Sequence, residues 1–297
     1  MIRVRPAKTD ADLEAWIHVR RVVVPNSSAG TVELHRAREK PERLLLLAEL
    51  DGDLAGSGVS DRSELPDRFY LVARVLPEVR RRGVGTALFH PLAEHAAGFG
   101  VDKLSTEVED DGSRAFAEHF GFGETDGEVE QVKRLAQPQS PSPPPEGLEI
   151  VTIAERPDLL EAAYPLAREG YADMATERPA TIPLEDWLRD EATLPEGSFA
   201  ALMDGEIVGY SGLLRHDNPG TAEDGLTVVR RDWRRRGLAS VLKEMELAWA
   251  AANGFAEVVT WTQRGNEGMR CLNERLGYEY RSESVTMVAR LPLQKPV

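Results

Sequence analysis

The sequence predicts an α/β fold of the α+β type, a mixed β-sheet with helices packed on it, built twice in tandem. Two observations on the chain of 297 residues predict this: a proline-rich run near the middle, and the same order of apolar and amphipathic segments on both sides of it. A third is the basic phrase RRRGVG at 80–85, which returns as RRRGLA at 234–239. Because a chain of this length fits two domains of about 150 residues, we expect domains at 1–136 and 148–297.

The proline-rich run, QPQSPSPPPEG at 137–147, is predicted to be a linker between the domains. It contains five prolines and no large apolar residue. Such a segment cannot form a packed core and favours the extended polyproline II conformation. A recognition ligand for a proline-binding module is the alternative.

The first segments of the two flanks match in order. Each flank opens with a short strand and an acidic, amphipathic stretch that we expect to be helical. An apolar strand, an Asp-Gly turn and a second apolar strand give a hairpin signature, and a further strand leads into the basic phrase, a helix and another strand. The matched segments are 2–5 with 150–153, 44–60 with 199–214, 69–85 with 225–239, and 103–109 with 257–262.

Both flanks close with a helix, a segment of glycine and aromatic residues, and a final strand. The closing segments are HFGFGE at 119–124 and RLGYEY at 275–280, followed by VEQVKRL at 129–135 and VTMVARL at 285–291. Each half is therefore predicted to be β-α-α-β-β-β-α-β-α-β-β. In the second half, the helix after the basic phrase carries an apolar stripe at helical spacing, made of Leu238, Val241, Leu242, Met245, Ala248 and Trp249.

Composition and charge argue against several classes of function. The 36 basic and 50 acidic residues give a formal charge of −14, which disfavours a nucleic-acid partner and favours a cationic small molecule. No segment reaches the roughly 18 apolar residues of a membrane span, and no signal-peptide core opens the chain. The single cysteine, Cys271, suits a reducing compartment, and the six histidines form no pair at i and i+4. We therefore expect a cytoplasmic protein with no metal site and no membrane partner.

The basic phrase lies where a strand ends and a helix begins. Arginines there are unfavourable by a few tenths of a kcal/mol each, because a helix N-terminus carries about half a positive charge. A bound anion would offset this cost, and Gly83 and Gly85 would let backbone N–H groups approach it. A solvated charged turn is the alternative, but the repetition of the phrase in the same context favours an anion site. The phrase matches neither a Walker loop nor a dinucleotide fingerprint.

The residues around the phrase resemble motif A of the GCN5-related N-acetyltransferase (GNAT) superfamily, V-x-P-x-x-[QR]-x-x-G-x-[GA]. The pattern is filled by Val75, Pro77, Arg80, Gly83 and Gly85 in the first half, and by Val229, Arg234, Gly237 and Ala239, with Arg231 in place of the proline, in the second. The resemblance implies two tandem GNAT folds, with the pyrophosphate of acetyl-CoA at the loop and helix N-terminus and the pantetheine along the preceding strand. The residues it implies in binding acetyl-CoA are Val75, Arg80, Arg81, Arg82, Gly83, Val84, Gly85, Thr86, Val228, Val229, Arg234, Arg235, Arg236, Gly237, Leu238, Ala239, Ser240 and Asn266.

The second half carries a further signature, NEGMRCLNERLGY at 266–278. It is similar to the closing helix of GNAT proteins and would place Asn266 near the coenzyme as a helix cap. In the first half, Asp110 stands at that position and Ala117 stands where many members carry a catalytic tyrosine. Pro91 should also kink or shorten the coenzyme helix of that half. The resemblance therefore favours the second half as the catalytic one, as in tandem acetyltransferases with one working domain such as mycothiol synthase.

Acetyl transfer to an amine needs a proton acceptor, a polarised thioester carbonyl and a stabilised thiolate. Glu223 and Asp224, which lead into a strand, are the candidates for the base, acting through water or anchoring a cationic substrate; an exposed acidic turn is the alternative. A backbone N–H near Val228 would polarise the carbonyl. Asn273, at the family's usual tyrosine position, cannot donate a proton in the same way, so no general acid is identified. Tyr278 is expected to pack in the core.

We therefore expect an acyltransferase that moves an acetyl group from acetyl-CoA to a primary amine of a small acceptor. A non-catalytic protein that binds or senses acetyl-CoA or CoA through a degenerate site is the alternative, motivated by the missing tyrosines. The acceptor, the number of working domains and the oligomeric state are left open by the sequence. Candidate residues for an acceptor pocket are Tyr164, Tyr171 and Asp173.

Overall fold

Two units divide the chain, and each has its own set of paired strands and its own core. The first comprises Met1–Asp126 and Ser284–Val297, and the second comprises Gly127–Glu283. The structure, a computed structural model, describes residues 1–25, 29–63, 67–135, 140–174, 182–216 and 218–293, without the side chain of Met174. Both units are mixed α/β folds, as the sequence predicts.

The elements of the first unit follow the predicted order. They are β1 (Ile2–Pro6), α1 (Asp10–Val23), α2 (Val32–Ala37), β2 (Leu44–Leu50), β3 (Asp53–Arg62), β4 (Arg68–Val75), α3 (Val84–Ala97), β5 (Lys103–Val108) and α4 (Asp111–His119), and β6 (Gly123–Arg134) begins in this unit. The sheet has the order β1-β2-β3-β4-β5. Its neighbours are antiparallel except for β4 and β5, which are parallel.

The second unit repeats this plan. Its elements are β7 (Glu149–Thr152), α5 (Asp158–Met174), α6 (Leu184–Asp190), β8 (Phe199–Met203), β9 (Glu206–Arg215), β10 (Thr221–Val229), α7 (Leu238–Ala252), β11 (Glu257–Gln263), α8 (Glu267–Arg275) and β12 (Glu279–Arg290). The sheet has the order β7-β8-β9-β10-β11, with β10 and β11 parallel.

Apolar clusters cover both faces of each sheet. In the first unit, one cluster contains Leu88 and Leu92 of α3, and the other contains Trp16 of α1. In the second unit, Trp187 of α6 lies in a cluster with residues of α5, and Leu242 of α7 lies in a cluster on the other face. Each sheet is thus held between a helical layer at the start of its unit and the helix that follows its basic phrase.

The final strand of each half lies in the sheet of the other unit. Glu128–Arg134 of β6 pair antiparallel with β11, and Val285–Arg290 of β12 pair antiparallel with β5. The prediction that each half keeps its own final strand is therefore wrong, and the units differ from the ranges 1–136 and 148–297 on this point. The apolar residues of these strands, such as Val129 and Val132 in β6 and Val285 and Met287 in β12, do not by themselves specify which strand is the neighbour.

Polar contacts in the second unit show what distinguishes the two strands. Glu130 of β6 is buried, pairs with Arg281 and accepts a hydrogen bond from Ser282 Oγ at 2.6 Å. Gln131 Oε1 accepts one from Asn273 Nδ2 at 3.0 Å. Burying such groups without partners would be costly, and the first unit instead receives apolar side chains into its core. These are Val285, Met287 and Ala289.

Two local features differ from the prediction, and a third agrees with it. β6 and β12 are single long strands, where two closing strands were predicted in each half. α3 continues through Pro91 to Ala97 instead of shortening; the lost hydrogen bond is tolerated in a helix packed along its length, with Leu88 and Leu92 fully buried. Of the predicted linker, 140–147 contains neither helix nor strand, and 137–139 lie outside the described residues.

Candidate functional site

Each unit has a tight backbone loop that contains the basic phrase, between β4 and α3 or between β10 and α7. The angle φ is +63° at Arg81, +86° at Gly83, +61° at Arg235 and +83° at Gly237. Glycine adopts this left-handed conformation freely, whereas it costs another residue about 1–2 kcal/mol. Left-handed residues within turns form concavities of backbone N–H groups that bind anions. The two loops therefore have the same anion-binding geometry, which the repeated phrase predicts.

The helices after the two loops begin without a side-chain cap. Gly83 and Gly237 are their N-cap residues, and neither first turn contains an acidic residue. In contrast, Thr9, Asp110 and Asn266 cap α1, α4 and α8 with side-chain oxygens. Since the first N–H groups of a helix need an outside acceptor, those of α3 and α7 are suited to an anionic ligand.

The first arginine of each phrase braces the loop. Arg80 Nε donates to the carbonyl oxygen of Val75 at 3.2 Å, and Arg234 Nε donates to that of Val229 at 2.9 Å. Arg234 also pairs with Asp173 of α5, with 2.6 Å between Nη2 and Oδ2. Through these contacts each side chain holds the loop against its own strand, and the binding of acetyl-CoA by Arg80 and Arg234 stays a prediction. The backbone N–H groups are the better candidates for anion ligands.

Acidic residues of α5 already neutralise part of the second loop. Asp173 pairs with Arg231 as well as Arg234, and Glu169 lies 3.3 Å from Arg234. The arginines hold the pKa of Asp173 below its usual range. Asp173 therefore contacts the loop, where the sequence suggested a pocket residue. The phrase in the first unit makes a weaker contact of this kind, 3.4 Å between Arg82 and Asp51.

The two parallel strand pairs separate before they reach the loops. β4 pairs with β5 over Arg68–Tyr70, and β10 pairs with β11 over Thr221–Glu223. Beyond this point, one backbone edge of β4 up to Val75, and of β10 up to Val229, faces the gap between the strands. Such an edge can bind an extended ligand through backbone hydrogen bonds. The side chains of Val228 and Val229 are buried, so these two predicted residues would contribute backbone groups.

A β-bulge lies beside this gap in the second unit. The register of β10 with β9 shifts between Asp224 and Thr227, opposite Gly212. In the first unit, β4 follows β3 without a shift from Val75 to Phe69. A bulge redirects backbone groups and side chains, and bulges occur often next to active sites. This difference favours the second unit as the site of chemistry.

The carboxylate of Glu191, which directly follows α6, lies against the backbone opposite the bulge. A Cβ atom at Gly212 would collide with Glu191 Oε1, and the Tyr210 hydroxyl donates to that oxygen at 3.1 Å. Burial raises the pKa of Glu191 to about 7, against the lowering effect of the Tyr210 hydrogen bond, and Asp224 and Glu223 raise it further. Sequence analysis missed Glu191. The signal that could have pointed to this site was Gly212, because a glycine inside a strand often marks a place where another group approaches the backbone closely.

Asp224, one of the two predicted bases, belongs to a buried polar cluster between β10 and α7. It pairs with Lys243 and accepts a hydrogen bond from the Tyr278 hydroxyl at 3.2 Å. Both side chains of the pair are 1% exposed. Burial raises the pKa of Glu246, the fourth member, well above its usual value, and Asp224 adds to this. Tyr278 is buried as predicted, but Asp224 is enclosed and ion-paired, so Glu223 and Glu191 are better placed for a substrate.

The first unit has apolar side chains at the four equivalent positions. Phe89 and Leu92 follow Gly83 at the same distances as Lys243 and Glu246 follow Gly237, and Phe122 follows Gly121 as Tyr278 follows Gly277. Leu71 occupies the register position of Asp224. We call the four residues of the second unit the buried quartet: Asp224, Lys243, Glu246 and Tyr278. Their counterparts in the first unit are, in the same order, Leu71, Phe89, Leu92 and Phe122.

Comparison with known families decides the identity of the fold. A model described as the acetyltransferase (GNAT) family matches residues 12–122 and 159–278. The chain belongs to the GNAT acetyltransferase family. No curated protein matches the sequence.

Solved structures share the tandem GNAT fold. A tandem GNAT protein from the clavulanic acid biosynthesis pathway is 20% identical, with a TM-score of 0.77 and 98% of each chain covered. A GCN5-related N-acetyltransferase from Sphaerobacter thermophilus is 22% identical, with a TM-score of 0.76 and coverage of 97% of this chain and 95% of that one. A putative acetyltransferase from Pyrococcus horikoshii is 17% identical, with a TM-score of 0.61 and coverage of 97% and 89%. At these identities the likeness shows the fold.

GNAT proteins generally use acetyl-CoA as co-substrate, and the two loops fit its pyrophosphate through uncapped helix N–H groups. Asn266, which the resemblance to the family's closing helix singled out, caps α8: its Oδ1 accepts a hydrogen bond from the Met269 N–H at 3.3 Å. Asn273 is fully buried, and its Nδ2 donates to Gln131 and Thr262. This placement argues against the catalytic role that the tyrosine position suggested for Asn273, because its amide holds three elements together.

Among the residues that the structure describes, no group of three or more His, Cys, Asp or Glu side chains is arranged to hold a metal ion. In the same residues, no helix is long and apolar enough to cross a membrane.

Proposed function

We propose that the protein transfers the acetyl group of acetyl-CoA to a primary amine, and that the second unit carries out the chemistry. The observation that carries this proposal is the Glu191 carboxylate, which lies against Gly212 opposite the β10 bulge, where β10 and β11 separate. The family's co-substrate supplies an activated acetyl thioester. Glu191 supplies a proton acceptor beside the strand edge on which that thioester would lie.

The acidity of Glu191 suits the removal of a proton from an amine. A free alkyl ammonium group has a pKa of about 10, so most of it is protonated at neutral pH. A general base works best when its pKa lies near the working pH, and that of Glu191 is about 7. One proton of the ammonium group passes to Glu191, directly or through water, and the neutral amine nitrogen attacks the carbonyl carbon. The carbon–sulfur bond then breaks, and CoA leaves as a thiolate that takes up the second proton lost by the nitrogen. A backbone N–H group of β10 at the bulge would stabilise the charge that develops on the carbonyl oxygen.

Charge on the second unit favours a cationic acceptor. Glu191 and Glu223 interact electrostatically near the bulge. A cleft with one sign of charge raises the local concentration of ligands of the opposite sign. We therefore propose a small molecule with a protonated amine as the acceptor, in keeping with the formal charge of −14.

Glu191→Gln tests the proposal. If Glu191 accepts the proton, the variant should lower kcat/KM by about 10²-fold or more, and the rise in rate through about pH 7 should disappear, because only the deprotonated carboxylate can act. The release of CoA from acetyl-CoA in the presence of a panel of small primary amines can be followed with a thiol reagent. The signal from the exposed thiol of Cys271 is subtracted. The matched control is Glu196→Gln, at an exposed position nearby, which should retain both rate and pH profile.

A stability measurement separates the chemical role of Glu191 from a structural one. Because the folded protein raises the pKa of Glu191 from its unfolded value near 4.3 to about 7, the fold loses stability as pH rises through this window. Glu191→Gln should remove that part of the loss and should not destabilise the protein at pH 8. If Glu191→Gln unfolds at pH 8, loss of the folded structure and not loss of a catalytic base would explain its low rate. Folded wild-type protein that binds acetyl-CoA but releases no CoA with any amine would favour the binding or sensing alternative.

A further inference from the structure

A buried arginine without a counter-ion lies in the first unit, on the face of the sheet that α1 covers. Arg74 of β4 is 7% exposed, and its Nε and Nη1 have no hydrogen-bond partner. Opposite it in the β3 register is Ser57, which is fully buried and whose Oγ is also without a partner. No carboxylate of the residues that the structure describes forms an ion pair with Arg74. A buried charge of this kind is costly unless something pairs with it.

Charged groups among the described residues act on Arg74 from a distance, and none of them pairs with it. Its guanidinium lies 5.9 Å from the centre of the Trp16 ring. Burial and the charge of Arg20 lower the pKa of Arg74, to about 10, while Glu107 and Glu109 act in the opposite direction. The Glu107 carboxylate already accepts a hydrogen bond from the Tyr70 hydroxyl at 3.3 Å.

The second unit shows that the fold does not require these polar groups. Its register places Val228 at the position of Arg74 and Tyr210 at that of Ser57. Val228 packs closely on Gly170 of α5, where an added Cβ would lie 2.9 Å from Val228 Cγ2. The position of Arg74 is therefore apolar and closely packed in the second unit, whereas in the first unit it holds a buried charge whose Nε and Nη1 have no hydrogen-bond partner.

We propose that Arg74 and Ser57 bind the carboxylate group of a small molecule on the α1 face of the first unit. A guanidinium matches the planar carboxylate with two parallel hydrogen bonds, and the Ser57 hydroxyl can donate a third. A phosphate dianion fits less well, because Glu107 and Glu109 would repel its second charge. The site is separate from the loop that follows β4, and it does not depend on acetyl transfer.

The test uses acetate with its neutral isostere acetamide in one sample of the full-length protein, observed by saturation-transfer difference NMR of the two methyl signals. We expect an acetate signal at least tenfold above that of acetamide. Arg74→Val, which copies the second unit, should abolish this preference and raise the Tm, because it removes a buried unpaired charge. Arg62→Val, which replaces a more exposed arginine of β3, is the control and should keep the preference.

Ser57→Ala provides a second variant that removes only one hydroxyl, and it should weaken acetate binding severalfold in a folded protein. Equal signals from acetate and acetamide, or an acetate preference that survives Arg74→Val, would overturn the proposal. Inorganic phosphate that displaces acetate at a concentration below that of acetate would overturn the assignment to a carboxylate.

Discussion

Lys243→Met is expected to destabilise the second unit by about 3–5 kcal/mol, since it breaks a buried ion pair and leaves its partners uncompensated. Lys243 is the cationic member of the buried quartet, beside the carboxylates of Asp224 and Glu246. Four of the five tryptophans lie in the second unit, at positions 187, 233, 249 and 261. Urea unfolding followed by tryptophan fluorescence therefore reports mainly on this unit.

The first unit supplies the control for this experiment. A variant that carries its apolar residues at all four positions, Asp224→Leu with Lys243→Phe, Glu246→Leu and Tyr278→Phe, should be about as stable as the parent or more so, because apolar packing often equals a buried ion pair. It should also transfer acetyl groups more slowly if the quartet positions the β10 bulge. A single Lys243→Met variant with unchanged stability would contradict this account, as would a quadruple variant that loses as much stability as the single one.

Gly237→Glu is expected to abolish acetyl-CoA binding at the second loop, and Gly83→Glu at the first. Each substitution places a negative charge where the pyrophosphate would lie. At about 5 Å and an effective dielectric constant of about 20, the repulsion is about 3 kcal/mol per charge pair, which lowers affinity by roughly a hundredfold. Calorimetric titration of the intact protein with acetyl-CoA should show two sites, of which each variant loses one.

Alanine at the same positions is the matched control. Both glycines have positive φ, so alanine and glutamate carry the same backbone strain. No heavy atom lies within 4 Å of a Cβ at Gly237, and the nearest to one at Gly83 is Ile2 Cδ1 at 3.5 Å. Alanine variants that bind nearly as well as the parent would assign the effect to charge and bulk. A parent that is folded and binds no acetyl-CoA would refute the acetyl-CoA assignment.

The backbone of the candidate site could be predicted from the sequence because its determinants are local. The glycines at 83 and 237 are needed for a left-handed turn, and a strand, a turn and an amphipathic helix follow one another within 68–97 and within 221–252. The same local signals predicted the cap at Asn266 and the burial of Tyr278. The roles of the arginines were harder to predict, because Arg234 contacts a helix about sixty residues earlier in the chain.

The sequence by itself determined the duplicated α/β plan, the two glycine loops and the family, because each depends on residue types at fixed spacing. Only the tertiary structure decided which neighbour each final strand has, since the partners that distinguish β6, such as Arg281 and Asn273, are distant from it in the sequence. It also decided that Glu191 lies at the β10 bulge and that Lys243 neutralises Asp224. The chemistry of an acidic or basic side chain depends on its burial and on the charges around it. Those surroundings come from segments far apart in the sequence.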